Sequence, residues 1–441
     1  MKRVRAVIHE WEERELPALK PRDVEINHLL GMDHVIDIIG PRRSGKTYLM
    51  YLMISKLLEK IDREAVLYIN FENRILYPLT DKLLEGMLNY VYEKKLLEKH
   101  GRVFLFFDEI QNVPNWERWV RNVYDEHKGK IKIFISGSSS RLAGKDVSSL
   151  LTGRHVPITL LPLNFREFLS FKGMDFKSGD VEYSRKKQAE LKNLLDEYLD
   201  FGGFPEVVLA DSKVKKEEIL GAYYGDMLYK YVVEKFKIKE IGILENFLKS
   251  LFVNISSYFS YKRANDHLKS LGIQTSTRTL LRYTSILEEV FLTFFVPIFS
   301  KKVRDQMRYP RKIYCVDAGL RRTVSGRISE DYGRVMENAV FLSLKGRKSE
   351  IYYWKDRQGR EVDFVVKEGL KVKQLIQVCK EINNPKTKER EVGGLLKAMS
   401  EFNLREGLII TEDFEKEEKI KGKKVTYKPL WKWLVSRRKE A

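Results

Sequence analysis

The chain is predicted to be an α/β protein with a parallel sheet at its core, and three stretches predict it. The first, V-I-D-I-I-G-P-R-R-S-G-K-T-Y-L-M-Y-L from Val35 to Leu52, is an apolar run of strand character followed by a loop from Gly40 to Thr47. Leu49, Leu52 and Met53 then fall at helical spacing. The second and third are Ala65 to Asn70 and Val103 to Phe107, where apolar residues run without polar alternation. Parallel strands covered on both faces have that signature, and the last run leads straight into two carboxylates, Asp108 and Glu109.

Between its strand and its helix, Gly40-Pro41-Arg42-Arg43-Ser44-Gly45-Lys46-Thr47 matches G-x-x-x-x-G-K-[ST] at every fixed position, in the setting of a P-loop. Gly40 and Gly45 let backbone N–H groups close around phosphate oxygens with no Cβ in the way. The helix that starts at Lys46, Thr47 and Tyr48 offers unpaired N–H groups and the positive end of its dipole. Lys46 is expected on the β- and γ-phosphates, and the Thr47 hydroxyl on Mg²⁺. A chance glycine-rich turn is the plain alternative, and the flanking strand and helix argue against it. The loop predicts binding of a nucleoside triphosphate.

At 441 residues the chain has room for about two to four domains, each burying its own core. With 43% hydrophobic and 32% charged residues, it has the composition of a soluble globular chain, not a disordered one. A formal net charge of +19 favours a polyanionic partner, nucleic acid being the commonest. A Lys/Glu-rich surface of the thermophile kind, which needs no partner, is the alternative. Cys315 and Cys379 are far apart and outside any C-x-x-C spacing, so neither a disulfide framework nor a zinc site is expected, and the cytoplasm is the expected compartment. The N-terminus M-K-R-V-R-A-V soon meets Glu10, Glu13 and Glu15 and has no signal-peptide core. The most apolar run, Val290 to Phe299, is too short to span a membrane and carries Thr293 and Pro297, so it reads as a buried strand and no membrane partner is expected.

Residues 1–33 read as a charged lead-in, in which Arg22 either approaches the nucleotide or is simply solvated. A helical stretch from Leu79 to Glu98 separates the second and third strands. The acidic end of the third strand has the character of a Walker B segment. It should lie beside the P-loop, where open α/β sheets bind ligands, with Asp108 holding Mg²⁺ and Glu109 orienting and polarising the attacking water. Ile131 to Ser139 supplies a further strand ending in hydroxyls. Ser136 or Ser138 is a candidate for bonding the γ-phosphate or the lytic water, a serine-rich turn being the alternative.

These motifs stand in one order with Leu151-Thr152-Gly153-Arg154 and Phe201-Gly202-Gly203-Phe204-Pro205-Glu206. As a set they resemble a prokaryotic AAA-type ATPase family, which joins this ATPase to a winged-helix segment and a C-terminal domain of unknown function similar to restriction endonucleases. The resemblance covers nearly the whole chain. It implies an ASCE-type core using ATP, with a catalytic Glu109 next to the metal-associated Asp108. Gly203-Phe204-Pro205 is also similar to the G-x-P element of STAND-type signalling ATPases, which makes Pro205 a candidate contact for the adenine base; a helix-breaking turn is the alternative. Arg141 and Arg154 compete to supply a transition-state guanidinium, in cis or across a subunit boundary, and Arg154 sits in the better motif. An ordinary surface salt bridge is the plain reading of either.

Lys172 to Lys187 carries glycine and serine among charges and reads as an exposed linker, followed by an amphipathic helical lid to Lys239. Beyond it, a helix from Tyr261, a turn at Gly272-Ile273-Gln274 and a second helix capped by Ser276 precede hydrophobic strands, the order of a winged helix-turn-helix. Thr277, Arg278 and Arg282 on the second helix are candidate DNA contacts. So are Lys301, Lys302 and Arg304 on the expected wing, where Arg308, Arg311 and Lys312 follow. A winged helix used as a lid or protein-docking module, its charges merely solvated, is the alternative.

The C-terminal third resembles the PD-(D/E)xK nuclease fold in its order of elements. Glu337 on a helix and Asp363 on a strand match the first two acidic positions. The third fails, because Ile376-Gln377-Val378-Cys379-Lys380 puts Gln377 where a glutamate belongs and Cys379 where a lysine belongs. Glu337, Asp363 and Gln377 therefore read as a degenerate site, with cutting disfavoured. The lysine-rich tail from Glu415, with Trp431 and Trp433, either grips nucleic acid or docks on its own domain. The expected organisation is an ATPase core over residues 1–170, a helical lid over 171–239, a winged helix over 240–325 and a nuclease-like α/β domain over 326–441. The leading functional reading is Mg²⁺-dependent ATP hydrolysis coupled to DNA or a partner, self-association included. A slow regulatory switch that recruits proteins and an ATP-gated, metal-dependent nuclease are the rivals.

Overall fold

Four of the apolar runs become β1 (Val35–Ile39), β2 (Val66–Asn70), β3 (Val103–Asp108) and β4 (Ile131–Gly137), and a strand that hydropathy does not announce, β5 (His155–Thr159), joins them in one sheet in the order β2-β3-β4-β1-β5. Every pairing is parallel, so all five C-terminal ends meet at one edge. The computed structural model describes residues 2–140, 151–174, 185–300, 302–326, 332–347 and 349–436. The chain divides into two compact units, Met1–Leu160 and Leu161–Ala441.

In the first unit, one face of the sheet presents Ile36, Ile38, Tyr68, Phe106 and Phe134 to Leu49, Met50, Met53, Ile54 and Leu57 of helix Lys46–Leu58. Phe106 and Phe134 stack across adjacent strands with centroids 4.3 Å apart. Each such side chain contributes roughly 1.5–3 kcal/mol on burial, which anchors the strand ends that carry the polar residues. The charged lead-in contains a helix, Lys2–Glu13, whose Val4, Val7, Ile8 and Trp11 are buried. Their i, i+3, i+4, i+7 spacing is the amphipathic stripe that its flanking charges obscure. Trp11 donates its indole N–H to the Val66 carbonyl at 2.7 Å. The single helix expected over Leu79 to Glu98 is two, Lys82–Glu93 and Leu96–His100, broken where Lys95 takes a φ of 51°.

The second unit opens with helices Phe165–Phe171, Arg185–Phe201, Pro205–Leu209 and Lys213–Gly225. The Gly202-Gly203 turn has a packing cause. Gly202 has a φ of +75°, and a Cβ on Gly203 would stand 2.3 Å from the Leu163 carbonyl oxygen. Helices Ile241–Val253, Tyr261–Ser270 and Thr277–Glu289 then surround a small antiparallel sheet of β6 (Tyr258–Phe259), β7 (Thr293–Val296) and β8 (Arg311–Cys315), in the order β6-β8-β7. The Ser276 hydroxyl accepts the Thr279 N–H at 3.1 Å and caps the third helix.

The last sheet contains β9 (Glu350–Lys355), β10 (Glu361–Glu368), β11 (Lys371–Val378), β12 (Glu406–Thr411), β13 (Lys416–Ile420) and β14 (Lys423–Pro429). Its order is β13-β14-β12-β11-β10-β9, with β9 to β11 an antiparallel meander and β11, β12 and β14 mutually parallel. Helix Pro385–Glu401 packs Leu395, Ala398 and Met399 on its face. The lysine-rich tail docks on its own domain: Tyr427 lies in this core, and Trp431 and Trp433 of helix Leu430–Val435 are buried. Among the described residues, no helix is long and apolar enough to cross a membrane.

Candidate functional site

The site is built at the C-terminal edge of the parallel sheet. As β1 ends, Leu160 donates its N–H to the Ile39 carbonyl at 2.7 Å. A Cβ on the next residue, Gly40, would stand 2.1 Å from the Leu160 carbonyl oxygen, so only glycine fits there. The loop turns back through Arg43 at a φ of 65° and Gly45 at 94°, and helix Lys46–Leu58 begins. Pro41 and Ser44 are buried inside the turn, while Arg43 and Tyr48 are exposed. Among the described residues the buried Ser44 hydroxyl has no hydrogen-bond partner, and Arg22 donates to the Ser44 carbonyl at 2.8 Å.

Lys46 is buried, and its ammonium donates to the carbonyls of Gly40 at 3.2 Å and Pro41 at 3.0 Å and to the Ser138 hydroxyl at 2.9 Å. It lies 3.9 Å from a Glu109 carboxylate oxygen. Burial lowers its pKa, against the attraction of Glu109 and Asp108. Thr47 donates its hydroxyl to Asp108 Oδ2 at 2.6 Å, and the buried Tyr68 hydroxyl reaches the same oxygen at 2.9 Å. Ser136 donates to the other Asp108 oxygen. Burial raises the Asp108 pKa, and the Ser136, Thr47 and Tyr68 hydroxyls oppose that rise.

Glu109 has a φ of 54°, an uncommon conformation for its type, and its N–H donates to the Ser136 hydroxyl at 3.0 Å. Its carboxylate accepts from Ser138 at 2.9 Å, from the Gln111 amide at 2.5 Å and from Arg42 at 3.1 Å. Arg42 also pairs with Glu72. Burial acts to raise the Glu109 pKa, but Lys46 and Arg42 together outweigh it and hold the group below its ordinary range. Two carboxylates, one ammonium and the hydroxyls of Thr47, Tyr68, Ser136 and Ser138 thus converge because β4 is wedged between β1 and β3, which places Ser136 and Ser138 beside both motif strands.

This arrangement fits phosphate and a hard divalent ion. The glycine cradle and the partnerless Ser44 hydroxyl face the loop's turn, and Thr47 with Asp108 offers an oxygen pair of the kind Mg²⁺ takes alongside substrate phosphates. Among the described residues, no group of three or more His, Cys, Asp or Glu is poised to hold a metal by itself.

Other expected residues lie elsewhere. For Arg154 the in-cis reading is corrected. The Val35 N–H bonds the Arg154 carbonyl at 2.9 Å, so Arg154 sits at the far end of β1 from the phosphate loop, where its guanidinium pairs with Asp125 at 2.7 Å. It does not complete the site in its own chain. Arg141 and Lys301 lie outside the described residues. Pro205 is the first residue of helix Pro205–Leu209 in the second unit. Thr277, Arg278, Arg282, Lys302 and Arg304 are all exposed, and Arg282 donates to the Phe236 carbonyl at 3.1 Å. Lys237, Lys239, Arg278 and Arg282 line one hollow together with a single acid, Glu240. Lys312, expected on an exposed wing, is buried instead and stands between Glu337 and Asp363.

Sequence reasoning missed Tyr68, Gln111, Glu72 and the role of Arg42 at the site. Tyr68 and Asn70 end an otherwise apolar strand, and Asn70 is in register with Asp108. Polar residues at the end of a buried strand were the available signal.

A parallel sheet with this strand order, a phosphate loop after β1 and paired acids after β3 define a P-loop NTPase core. Residues 33–169 match the family described as an AAA domain, and residues 192–331 and 332–433 match two domains of unknown function, DUF8612 and DUF4143. Uncharacterized protein MJ1544 of Methanocaldococcus jannaschii is 36% identical over 94% of this chain and 91% of its own length. An uncharacterized protein of Haemophilus influenzae is 28% identical over 90% and 94%. Among solved structures, the Walker-type ATPase PABY2304 of Pyrococcus abyssi is 14% identical, with a TM-score of 0.45 over 70% of this chain and 99% of that one. The chain belongs to the AAA-type P-loop ATPase family.

Proposed function

We propose that the chain is an Mg²⁺-dependent ATPase whose nucleotide state is coupled to DNA or a protein partner through its second unit. The observation that carries the reading is the Thr47 hydroxyl on Asp108 at 2.6 Å with Glu109 next in sequence and Lys46 3.9 Å from it. Lys46 and the N–H groups of the loop bind and orient the β- and γ-phosphates. Thr47 and Asp108 hold the divalent ion, which polarises the phosphoryl oxygens when bound. Glu109, kept ionised by Lys46 and Arg42, accepts the proton of the attacking water. Ser136 orients both acids, and Ser138 stands between Lys46 and Glu109. Pro205 as a contact for adenine, and Arg141 as the transition-state arginine, belong to the same proposal.

Residues 1–170 serve as the ATPase core, 171–239 as a lid, 240–325 as a winged helix and 326–441 as a C-terminal α/β domain. The exposed Thr277, Arg278 and Arg282 on a capped helix support phosphate-backbone contact. One observation also favours slow turnover: Ser138, Gln111 and Arg42 already donate to the Glu109 carboxylate, and one must yield before water can donate.

Glu109→Gln tests the assignment. The variant is expected to bind ATP as the wild type does and to lose about 10²–10⁴-fold in turnover; undiminished turnover rejects it. Electrophoretic shifts across a salt series test the DNA arm. Neutralising Arg278 and Arg282 should lower the slope of log affinity against log salt by about 2. An unchanged slope assigns the second unit to a protein partner.

A further inference from the structure

Glu337 on helix Tyr332–Gly346, Asp363 on β10 and Gln377 on β11 do come together, but an ammonium stands among them. Lys312 reaches in from β8 and donates to Asp363 Oδ1 at 2.6 Å and to Glu337 Oε1 at 3.1 Å. Lys312, Glu337 and Asp363 are 2%, 8% and 3% exposed. Tyr314, two residues along the same strand and so on the same face, donates to Glu337 Oε1 at 2.7 Å.

The remaining groups are answered by protein as well. Asp363 Oδ2 accepts the Val378 N–H at 2.8 Å. Gln377 accepts the Asp363 N–H at 3.1 Å and donates its amide to Glu391 at 2.6 Å, and Arg390 donates to the other Glu391 oxygen at 2.6 Å. A carboxylate at position 377 could accept that N–H but could not donate to Glu391. The amide therefore suits a cluster whose cation is supplied by the chain itself, where a carboxylate at 377 would suit one awaiting a further cation. Burial and Asp363 push the Glu337 carboxyl up to about 8.

The residues do not fit the divalent metal that a nuclease-like fold implies. A metal bound by both Glu337 and Asp363 would have to stand where the Lys312 ammonium stands, and two cations at contact distance in a buried site repel strongly.

We infer that Lys312 is a built-in counter-cation in the metal's position, which makes this cluster a structural tie and not a metal centre. The tie joins β8, from the small sheet, to β10 and helix Tyr332–Gly346 of the C-terminal domain. Its neighbours do the same. Tyr258 of β6 donates to Glu361 of β10 at 2.6 Å, and Tyr353 of β9 donates to the Pro310 carbonyl at 2.5 Å. Burial acts to lower the Lys312 pKa, but Asp363 and Glu337 outweigh it and keep the ammonium charged. The small sheet is thereby tied to the C-terminal sheet at three points.

The test counts bound Mn²⁺ by electron paramagnetic resonance on the full chain without nucleotide. Wild type, Asp363→Asn and Glu337→Gln are expected to bind the same number of ions. Loss of an ion in either variant overturns the inference, since the carboxylates would then be holding metal. Lys312→Met, which keeps the chain length and removes the charge, is expected to melt about 10 °C below wild type. A wild-type melting temperature in that variant equally overturns it. Should the methionine variant not fold, the ion counts on the two carboxylate variants still decide.

Discussion

Ser136→Ala removes one hydroxyl and should disable the site far beyond its size. The hydroxyl is buried, donates to Asp108 and accepts the Glu109 N–H at 3.0 Å, so it ties the two acids together. Its loss leaves a buried N–H without a partner, at roughly 1–3 kcal/mol, and removes a bond to a carboxylate, at roughly 1.5–3 kcal/mol. The expected destabilisation is about 3–5 kcal/mol, a large share of a typical domain's ~5–15 kcal/mol. The freed Glu109 backbone, already at a φ of 54°, can also shift, and a displacement of about 1 Å costs roughly 10²-fold in rate. Urea unfolding and steady-state ATP hydrolysis read the two effects. Ser138→Ala is the control. It also loses two bonds, but Lys46 keeps the Gly40 and Pro41 carbonyls, and Glu109 keeps Gln111 and Arg42, so about 1 kcal/mol is expected. If Ser136→Ala matched wild type in stability and turnover, the reading of this hydroxyl as a bridge would be wrong.

Two further predictions concern the second unit. Gly203→Ala drives a methyl against the Leu163 carbonyl and strains the Leu163 N–H bond to Gly203 at 2.7 Å, so about 3 kcal/mol is lost. Gly221→Ala, with nothing within 4 Å of the new Cβ in helix Lys213–Gly225, should gain about 0.5–1 kcal/mol, and thermal melts should show the two opposite signs. Asp317 accepts the N–H groups of Gly203, Gly319 and Leu320, and burial pushes its carboxyl from 3.8 up to about 6. The folded chain then binds a proton between about pH 4 and 6 that the unfolded chain does not, so stability falls as pH rises across that window. At ~1.4 kcal/mol per pH unit the fall is about 3 kcal/mol. The difference between wild type and Asp317→Asn, followed by urea unfolding from pH 4 to 7, should show that slope; a flat difference refutes it.

The ATPase core was legible because its chemistry is local. Gly40 to Thr47 is one continuous stretch, and the apolar runs of β1 and β3 lead directly into it and into Asp108-Glu109. What escaped notice came from strand order. Nothing local says that β4 lies between β1 and β3, yet this decides that Ser136 bridges both acids while Ser138 meets Lys46. The in-cis reading of Arg154 fails for a related reason: its motif lies close to β5 in sequence, but in space it marks the end of the sheet opposite the phosphate loop. Lys312 looked like one more charge in a basic wing, because the acids that bury it are 25 and 51 residues away. The Val425 and Tyr427 alternation of β14 was readable, but the surrounding lysines hid it. The Gly202-Gly203 pair marks a turn in the sequence, but its cause, contact with Leu163 and Asp317, is tertiary.

Whether Lys46 and its loop bind a triphosphate is read by calorimetric titration of ATP with Mg²⁺ into the full chain and into Lys46→Ala. Removing a charge-assisted contact of roughly 1.5–3 kcal/mol should weaken binding about 10- to 150-fold. Absence of binding heat in the folded wild type, or equal affinity in the variant, would contradict the account.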